Sequence, residues 1–273
     1  MYLMRFRIRP LCVAFQFLTI IPMKMNTTPE DLRDSVSYFV IVGLVQGLLL
    51  LTILSLSERL FHADLAIFIV LLSYVLLNGG FHLDGLSDTF DALAVRSTGD
   101  RQTQVEKRLS VMKDSTAGPI GVTAIVSIIF LKYLSLKNIS HFIPYIYYSS
   151  IFLMPVLSKW AMVSSMFHGR PTRSEGLGHF FVGRIKIKEL FYNLFALSLI
   201  YVLLYIIFSR YMPEREWIFN LFSIGTIYGF SLFWTYFCNK IFNGSTGDTI
   251  GALSELSEVL FLLSVIVWSR LFI

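Results

Sequence analysis

Three aspartates in this sequence are spaced to act together. Asp84, Asp88 and Asp91 fall in the run Gly79-Gly80-Phe81-His82-Leu83-Asp84-Gly85-Leu86-Ser87-Asp88-Thr89-Phe90-Asp91-Ala92-Leu93. On a helix of 3.6 residues per turn, positions i, i+4 and i+7 share an arc of about 60°, so the three carboxylates form one stripe. Like charges this close repel, and at a membrane boundary the repulsion is costly unless a cation neutralises it. The intervening residues are apolar or small, which predicts a packed helix rather than a solvated acidic face. Carboxylate oxygens are hard ligands and point to Mg²⁺ or Mn²⁺; Mg²⁺ in particular combines a few carboxylates with water and substrate phosphate. His82 is offset by about 200° from Asp84 on such a helix. It either reaches the same site from the side or sits as a satisfied histidine at the interface.

Three further clusters carry charge. Arg108-Leu109-Ser110-Val111-Met112-Lys113-Asp114-Ser115-Thr116 precedes an apolar stretch. Basic side chains and a helix start capped by Ser115 or Thr116 would suit a phosphate, although a charged turn beside the membrane has the same composition. Arg173-Ser174-Glu175-Gly176-Leu177-Gly178 is a basic loop punctuated by glycine, which lets a backbone approach a ligand closely. Gly244-Ser245-Thr246-Gly247-Asp248-Thr249-Ile250-Gly251 leads into Glu255 and Glu258 inside an apolar segment. Carboxylates at mid-membrane cost on the order of 2.5–3.5 kcal/mol, so they face a polar cavity or a cation, and Lys159 is one cation a structural pairing could use.

These residues need elements to hold them, and composition says where those elements lie. Hydrophobic residues make up 55% of the 273, charged ones 15%, and the mean hydropathy is +0.66. A soluble domain carries about a quarter charged residues, so the surplus apolar surface must face lipid. A helix needs about 20 apolar residues to span a bilayer. Seven segments qualify, near 36–57, 63–80, 117–136, 140–166, 189–209, 217–237 and 250–269, and two polar connections, 81–116 and 167–188, separate some of them. The apolar run Leu11–Ile21, between Pro10 and Pro22, is too short to span and reads as an interfacial or re-entrant helix rather than a secretory signal. The expected fold is therefore all-α: a polytopic integral membrane protein with about seven transmembrane helices and a short N-terminal interfacial helix, forming a single domain over 1–273. With the N-terminus inside, sixteen Lys and Arg fall on the cytoplasmic side against six outside, Lys132 among the six. Both long connections and the turn 238–249 should then meet at the cytoplasmic face. Cys12 and Cys238 are too few and too isolated for a disulfide framework or a zinc site.

The runs GGFHLDGLSDTFDAL, RLSVMKDSTAGPIG, SEGLG and GSTGDTIGALSELSEVLFLL, in this order, resemble the cobalamin synthase family, the adenosylcobinamide-GDP ribazoletransferases. Ser87, Ala92 and Lys113 stand where that family often has Ala, Gly and Arg. The resemblance implies an enzyme of the inner, cytoplasmic membrane that joins adenosylcobinamide-GDP to α-ribazole or its 5′-phosphate and releases GMP. It implies Mg²⁺ on Asp84, Asp88 and Asp91, with Asp91 preferred as acceptor of the nucleophile's proton. Arg108, Lys113 and Arg173 would hold phosphate, and His82, Asp114, Glu175, Asp248, Glu255 and Glu258 would complete the polar cavity. Its partners would be these small molecules and membrane lipid, not nucleic acid, with self-association into a homo-oligomer left open. The rivals are a CDP-alcohol phosphotransferase, whose motif departs after Asp84-Gly85, a membrane prenyltransferase, which needs two aspartate-rich motifs, and a cation transporter using Asp248, Glu255 and Glu258.

Overall fold

Hydrophobic runs of about 20 residues become helices here, and glycine, proline and polar caps decide where each one stops. The structure, a computed structural model, describes residues 8–23, 27–96, 99–114, 116–172 and 177–272. Among these residues the chain forms twelve α-helices and no strand. They are α1 (Ile8–Leu18), α2 (Pro29–Ser35), α3 (Phe39–Ser57), α4 (Ala63–Leu77), α5 (Phe81–Ala94) and α6 (Arg101–Val111). The second half has α7 (Pro119–Ile139), α8 (Pro144–His168), α9 (Leu177–Phe181), α10 (Ile187–Phe208), α11 (Glu216–Ile241) and α12 (Gly247–Phe272). Six rods are long and apolar enough to cross a membrane: α2 and α3 taken together, α7, α8, α10, α11 and α12. The protein is an all-α, multi-pass membrane protein.

The expected second span departs from a straight rod. Helix α4 has 15 residues, about 22 Å of rise and short of the hydrocarbon core. The chain then turns by 84° into α5, and the bent pair counts as the seventh span only if taken as one broken unit. Gly79 (φ +62°) and Gly80 (φ +71°) make the turn in the left-handed region, which residues with a Cβ enter only at a cost. Neighbours pin it: Gln46 of α3 donates to Asn78 Oδ1 (2.7 Å) and to the Leu18 carbonyl (3.3 Å), and the Ile20 amide donates to the Leu77 carbonyl (2.9 Å). The hydropathy of 63–80 could not show this bend, because a broken span and a straight one have the same composition.

Polar side chains also repair the discontinuity between α2 and α3. Asn193 of α10 accepts from the Val40 amide (3.0 Å) and donates to the Val36 carbonyl (2.8 Å), so the backbone groups released by the short 3-10 turn Val36–Tyr38 are satisfied within the bundle. Helix α8 is the hub, with α3, α10, α11 and α12 packed around it. Gly43 and Gly47 let α3 lie directly on it, since a Cβ on Gly43 would come within 2.8 Å of the Pro155 carbonyl. Helix α10 turns Phe191, Phe195, Val202 and Ile206 outward, where lipid takes the place of a protein neighbour. The expected short N-terminal helix is α1 (Ile8–Leu18), with Pro10, Val13, Ala14 and Leu18 buried against the bundle. As expected, both long connections meet the turn after α11. The Ser245 amide donates to the Arg170 carbonyl (2.8 Å), and Arg101 donates to the Lys240 carbonyl (3.3 Å).

Candidate active site

Two glycines bring the first and last motifs into contact. A Cβ on Gly85 would lie 2.7 Å from the Asp248 carbonyl oxygen, and one on Gly251 would lie 3.3 Å from the His82 Cα, so α5 and the start of α12 touch backbone to backbone. That contact places Asp84 and Asp248 together in the wall of one cavity of about 460 Å³. His82, Ser245 and Thr246 add polar groups on the same side, and Gln16 of α1 and His179 of α9 also line the cavity. Thr246 hydroxyl donates to Asp248 (3.2 Å) and accepts from the Thr249 amide (3.2 Å), which fixes the turn that starts α12. Ser245 Oγ is buried without a hydrogen-bond partner, a cost that a bound polar ligand would remove. The opposite wall comes from α1, α8 and α9 through Phe17, Met162, Met166 and Phe181.

The aspartate stripe lies on one helix, α5, as its spacing predicts, but its members have separate surroundings. Asp84 is exposed to the cavity, and Asp88 is half-buried one turn on. Asp91 accepts from the Gly118 amide (2.7 Å) with one oxygen and from the Gly121 amide (2.8 Å) with the other. It thereby caps the N-terminus of α7, where those two donors have no helical acceptor. The cap is thus supplied across the structure with Gly118 as the N-cap residue, and not by Ser115 or Thr116 as expected; Ser115 lies outside the described residues. Among the described residues no three His, Cys, Asp or Glu side chains are gathered around one metal position.

The remaining candidates divide sharply. Glu255 and Glu258 do not line the cavity. Both are buried in the bundle with Lys132, whose Nζ donates to Glu255 (2.6 Å) and also to Glu258, and the Tyr74 hydroxyl donates to the other Glu258 oxygen (2.7 Å). This corrects two expectations: Lys132 is no outside-loop residue, and Lys132 rather than Lys159 is the ion-pair partner of the glutamates. An apolar span hides a lysine whose charge is cancelled from a neighbouring helix, which charge counting cannot detect. Lys159 instead places its Nζ 3.1 Å from His82 Nε2, so the interfacial histidine is both at the cavity and tied to the core. Arg108 reaches the Ile241 carbonyl (3.5 Å) in a separate basic groove with Arg101 and Lys240, away from Asp84. Lys113 and Asp114 are exposed, and neither lines the cavity. Asp114 accepts from the Thr116 hydroxyl (2.7 Å) and amide (3.0 Å), and these bonds hold its carboxyl below the usual carboxylate range. Arg173 and Glu175 lie outside the described residues.

Sequence reading missed the apolar wall. Met162 and Met166 are four apart on α8 and look like any core pair, and Phe17 looks like part of an interfacial helix. No local signal separates an apolar residue that lines a pocket from one that fills a core.

The sequence model of the cobalamin-5-phosphate synthase family matches residues 10–266. The chain is similar to the adenosylcobinamide-GDP ribazoletransferase of Clostridium acetobutylicum, at 34% identity over 94% of this chain and 95% of that protein. The protein of the same description from Alkaliphilus metalliredigens is 33% identical over 92% of each chain. That of Thermodesulfovibrio yellowstonii is 29% identical over 96% of this chain and 97% of the other. No solved structure matches the chain significantly.

Proposed function

This chain belongs to the cobalamin-5-phosphate synthase family, and from that premise we propose that it joins adenosylcobinamide-GDP to α-ribazole or its 5′-phosphate with release of GMP. The observation that carries the reading is the family match over nearly the whole chain, together with a cavity whose polar wall is built from two of the motifs that define the resemblance. In the reaction a ribose hydroxyl oxygen of α-ribazole forms a bond to the cobinamide-linked phosphorus. The bond from that phosphorus to the bridging oxygen breaks, and GMP departs with the electron pair. The nucleophile's proton passes to a carboxylate of the cavity. We assign that role to Asp84 or Asp248 rather than Asp91, whose oxygens each accept a backbone amide and which does not line the cavity.

The donor set suits a hard divalent cation. Asp84 and Asp248 offer carboxylates, with hydroxyls from Ser245 and Thr246, and no cysteine lines the cavity. Mg²⁺ needs only one or two protein carboxylates when substrate phosphates supply the rest of its shell. Asp84 and Asp248 would hold it, with Asp88 within one turn, and it would neutralise charge on the diphosphate. The chain's own groups then position: Asp84 and Asp248 share one cavity wall because Gly85 and Gly251 let α5 meet α12, and the unpartnered Ser245 hydroxyl can donate to a phosphate oxygen. The test is direct. Purified protein in liposomes, given both substrates and Mg²⁺, should release GMP in step with corrinoid product, and chelation should stop it; no GMP with either form of α-ribazole would end this assignment.

The same contact gives a second expectation. Gly85→Ala puts a methyl group against the Asp248 backbone, so turnover should fall on the order of a hundredfold through misplacement of about an ångström. Yield in the membrane fraction should hold, and unchanged turnover would show that the close packing is not needed.

We place the N-terminus and the cavity on the cytoplasmic side, from the excess of Lys and Arg in the connections that meet there. Removing the buried Lys132 from the outside tally strengthens the bias. With Cys12 and Cys238 replaced by Ser, Lys107→Cys on α6 should react with a membrane-impermeant maleimide in inside-out vesicles only, and Leu60→Cys in right-side-out vesicles only. The reverse pattern would invert the topology.

A further inference from the structure

Resting on the reaction proposed above, we infer that this cavity is the pocket for the base of α-ribazole, and that the guanosine and corrinoid parts of the other substrate lie outside it. Size gives the first constraint. About 460 Å³ falls in the range of roughly 300–1,000 Å³ typical of small-molecule pockets and suits a nucleoside, whereas an adenosylated corrinoid cannot enter. Lining chemistry gives the second. Met162, Met166, Phe181 and Ile250 are buried members of one contiguous apolar cluster, with Phe17 packed against it. The Phe17 and Phe181 rings are 4.7 Å apart, so the wall presents aromatic and thioether surface as one face. Asp84, Ser245, Thr246 and Asp248 stand on the other side.

A 5,6-dimethylbenzimidazole riboside divides along the same line. Its benzo ring carries two methyl groups and no hydrogen-bonding atom, and thioethers pack well on such a ring. Its ribose hydroxyls, one of which is the nucleophile, then lie toward Asp84 and Asp248, where the diphosphate must also arrive. Guanine fits worse, because its carbonyl, amino and ring N–H groups would be buried against Met162, Met166 and Phe181 without acceptors or donors, and each unmet group carries a desolvation cost. Two polar side chains border the cavity from that side: Gln16 of α1 is exposed, and His179 of α9 has its Nε2 engaged by Arg184 (2.6 Å), so neither is committed to the edge beside Met162 and Met166.

The test uses wild-type protein in liposomes and three α-ribosides, those of 5,6-dimethylbenzimidazole, unsubstituted benzimidazole and hypoxanthine. Loss of the two methyl groups should raise KM roughly tenfold, and the polar purine should raise it on the order of a hundredfold. Met166→Gln should raise KM for α-ribazole roughly tenfold while KM for adenosylcobinamide-GDP stays within about twofold. Phe17→Ala, at a half-buried position, should act in the same direction if Met166→Gln does not fold. Equal use of all three bases would overturn the inference, as would variants that raise KM for adenosylcobinamide-GDP and spare α-ribazole. A wild-type protein that releases no GMP at all would instead refute the reaction, a result distinguishable from either of these.

Discussion

Asp84→Asn lowers Mg²⁺-dependent GMP formation by on the order of a hundredfold or more, with the protein still folded in the membrane: this is the expected result at the centre of the cavity. Asn keeps the size and one acceptor oxygen of Asp84 but removes the charge that attracts a divalent ion. Asp84 is exposed to the cavity, so the change strands no buried group and should leave the thermal midpoint in detergent nearly unmoved. Half-saturation by Mg²⁺ should shift upward in any residual activity. Asp91→Asn is the informative contrast on the same helix. Its amide can accept from only one of the Gly118 and Gly121 amides, so it should cost about 1 kcal/mol of stability, the usual value of a helix cap, and change the Mg²⁺ requirement little. Near-normal turnover of Asp84→Asn at saturating Mg²⁺ would remove the metal proposal. A Mg²⁺ effect confined to Asp91→Asn would move the ion along the stripe.

Lys132→Met should be the most destabilising single change in the bundle. Lys132 is the cation hydrogen-bonded to both Glu255 and Glu258, and all three are buried in spans α7 and α12. Removing it leaves two carboxylates side by side in a low-dielectric interior. Breaking a buried ion pair from one side costs about 3–5 kcal/mol, because the stranded charge keeps its desolvation penalty. The measurement is the thermal or denaturant midpoint of purified protein in detergent, read with membrane yield. Restoring neutrality with Glu255→Gln and Glu258→Gln in the Lys132→Met background should recover much of the loss. Wild-type stability of the single variant would mean that the glutamates are neutralised some other way, Lys159 being the nearest remaining cation candidate. The same pairing bears on transport: these carboxylates are satisfied from within the bundle, which leaves little to coordinate a passing ion.

Much of the architecture was legible one dimension at a time. Lipid exposure demands long apolar runs, and all seven expected segments match helices to within a few residues, six of them as full-length spans. The segment 63–80 is helical only to Leu77 and then bends, because hydropathy reports depth and not direction, so Gly79-Gly80 had to be read as left-handed hinge residues before the bend could be anticipated. The aspartate stripe followed from helical periodicity, which is a local property. Its division of labour did not, because Asp91 meets a helix terminus 27 residues away in sequence. Likewise, Glu255 and Glu258 announced a buried charge, but the choice of Lys132 over Lys159 depends on which faces of α7, α8 and α12 turn toward one another. The apolar wall of the cavity left no trace in the chain, since Met162 and Met166 satisfy the same burial rule whether they face a core or a ligand.

Composition, periodicity and four ordered motifs by themselves determined a lipid-embedded helical enzyme with an acidic helix at its working end. Only the tertiary structure decided which of those acids reach the cavity. Side-chain spacing is set within one helix, whereas a site is set where backbones of different helices come close enough, here at Gly85 and Gly251, for distant residues to share a space.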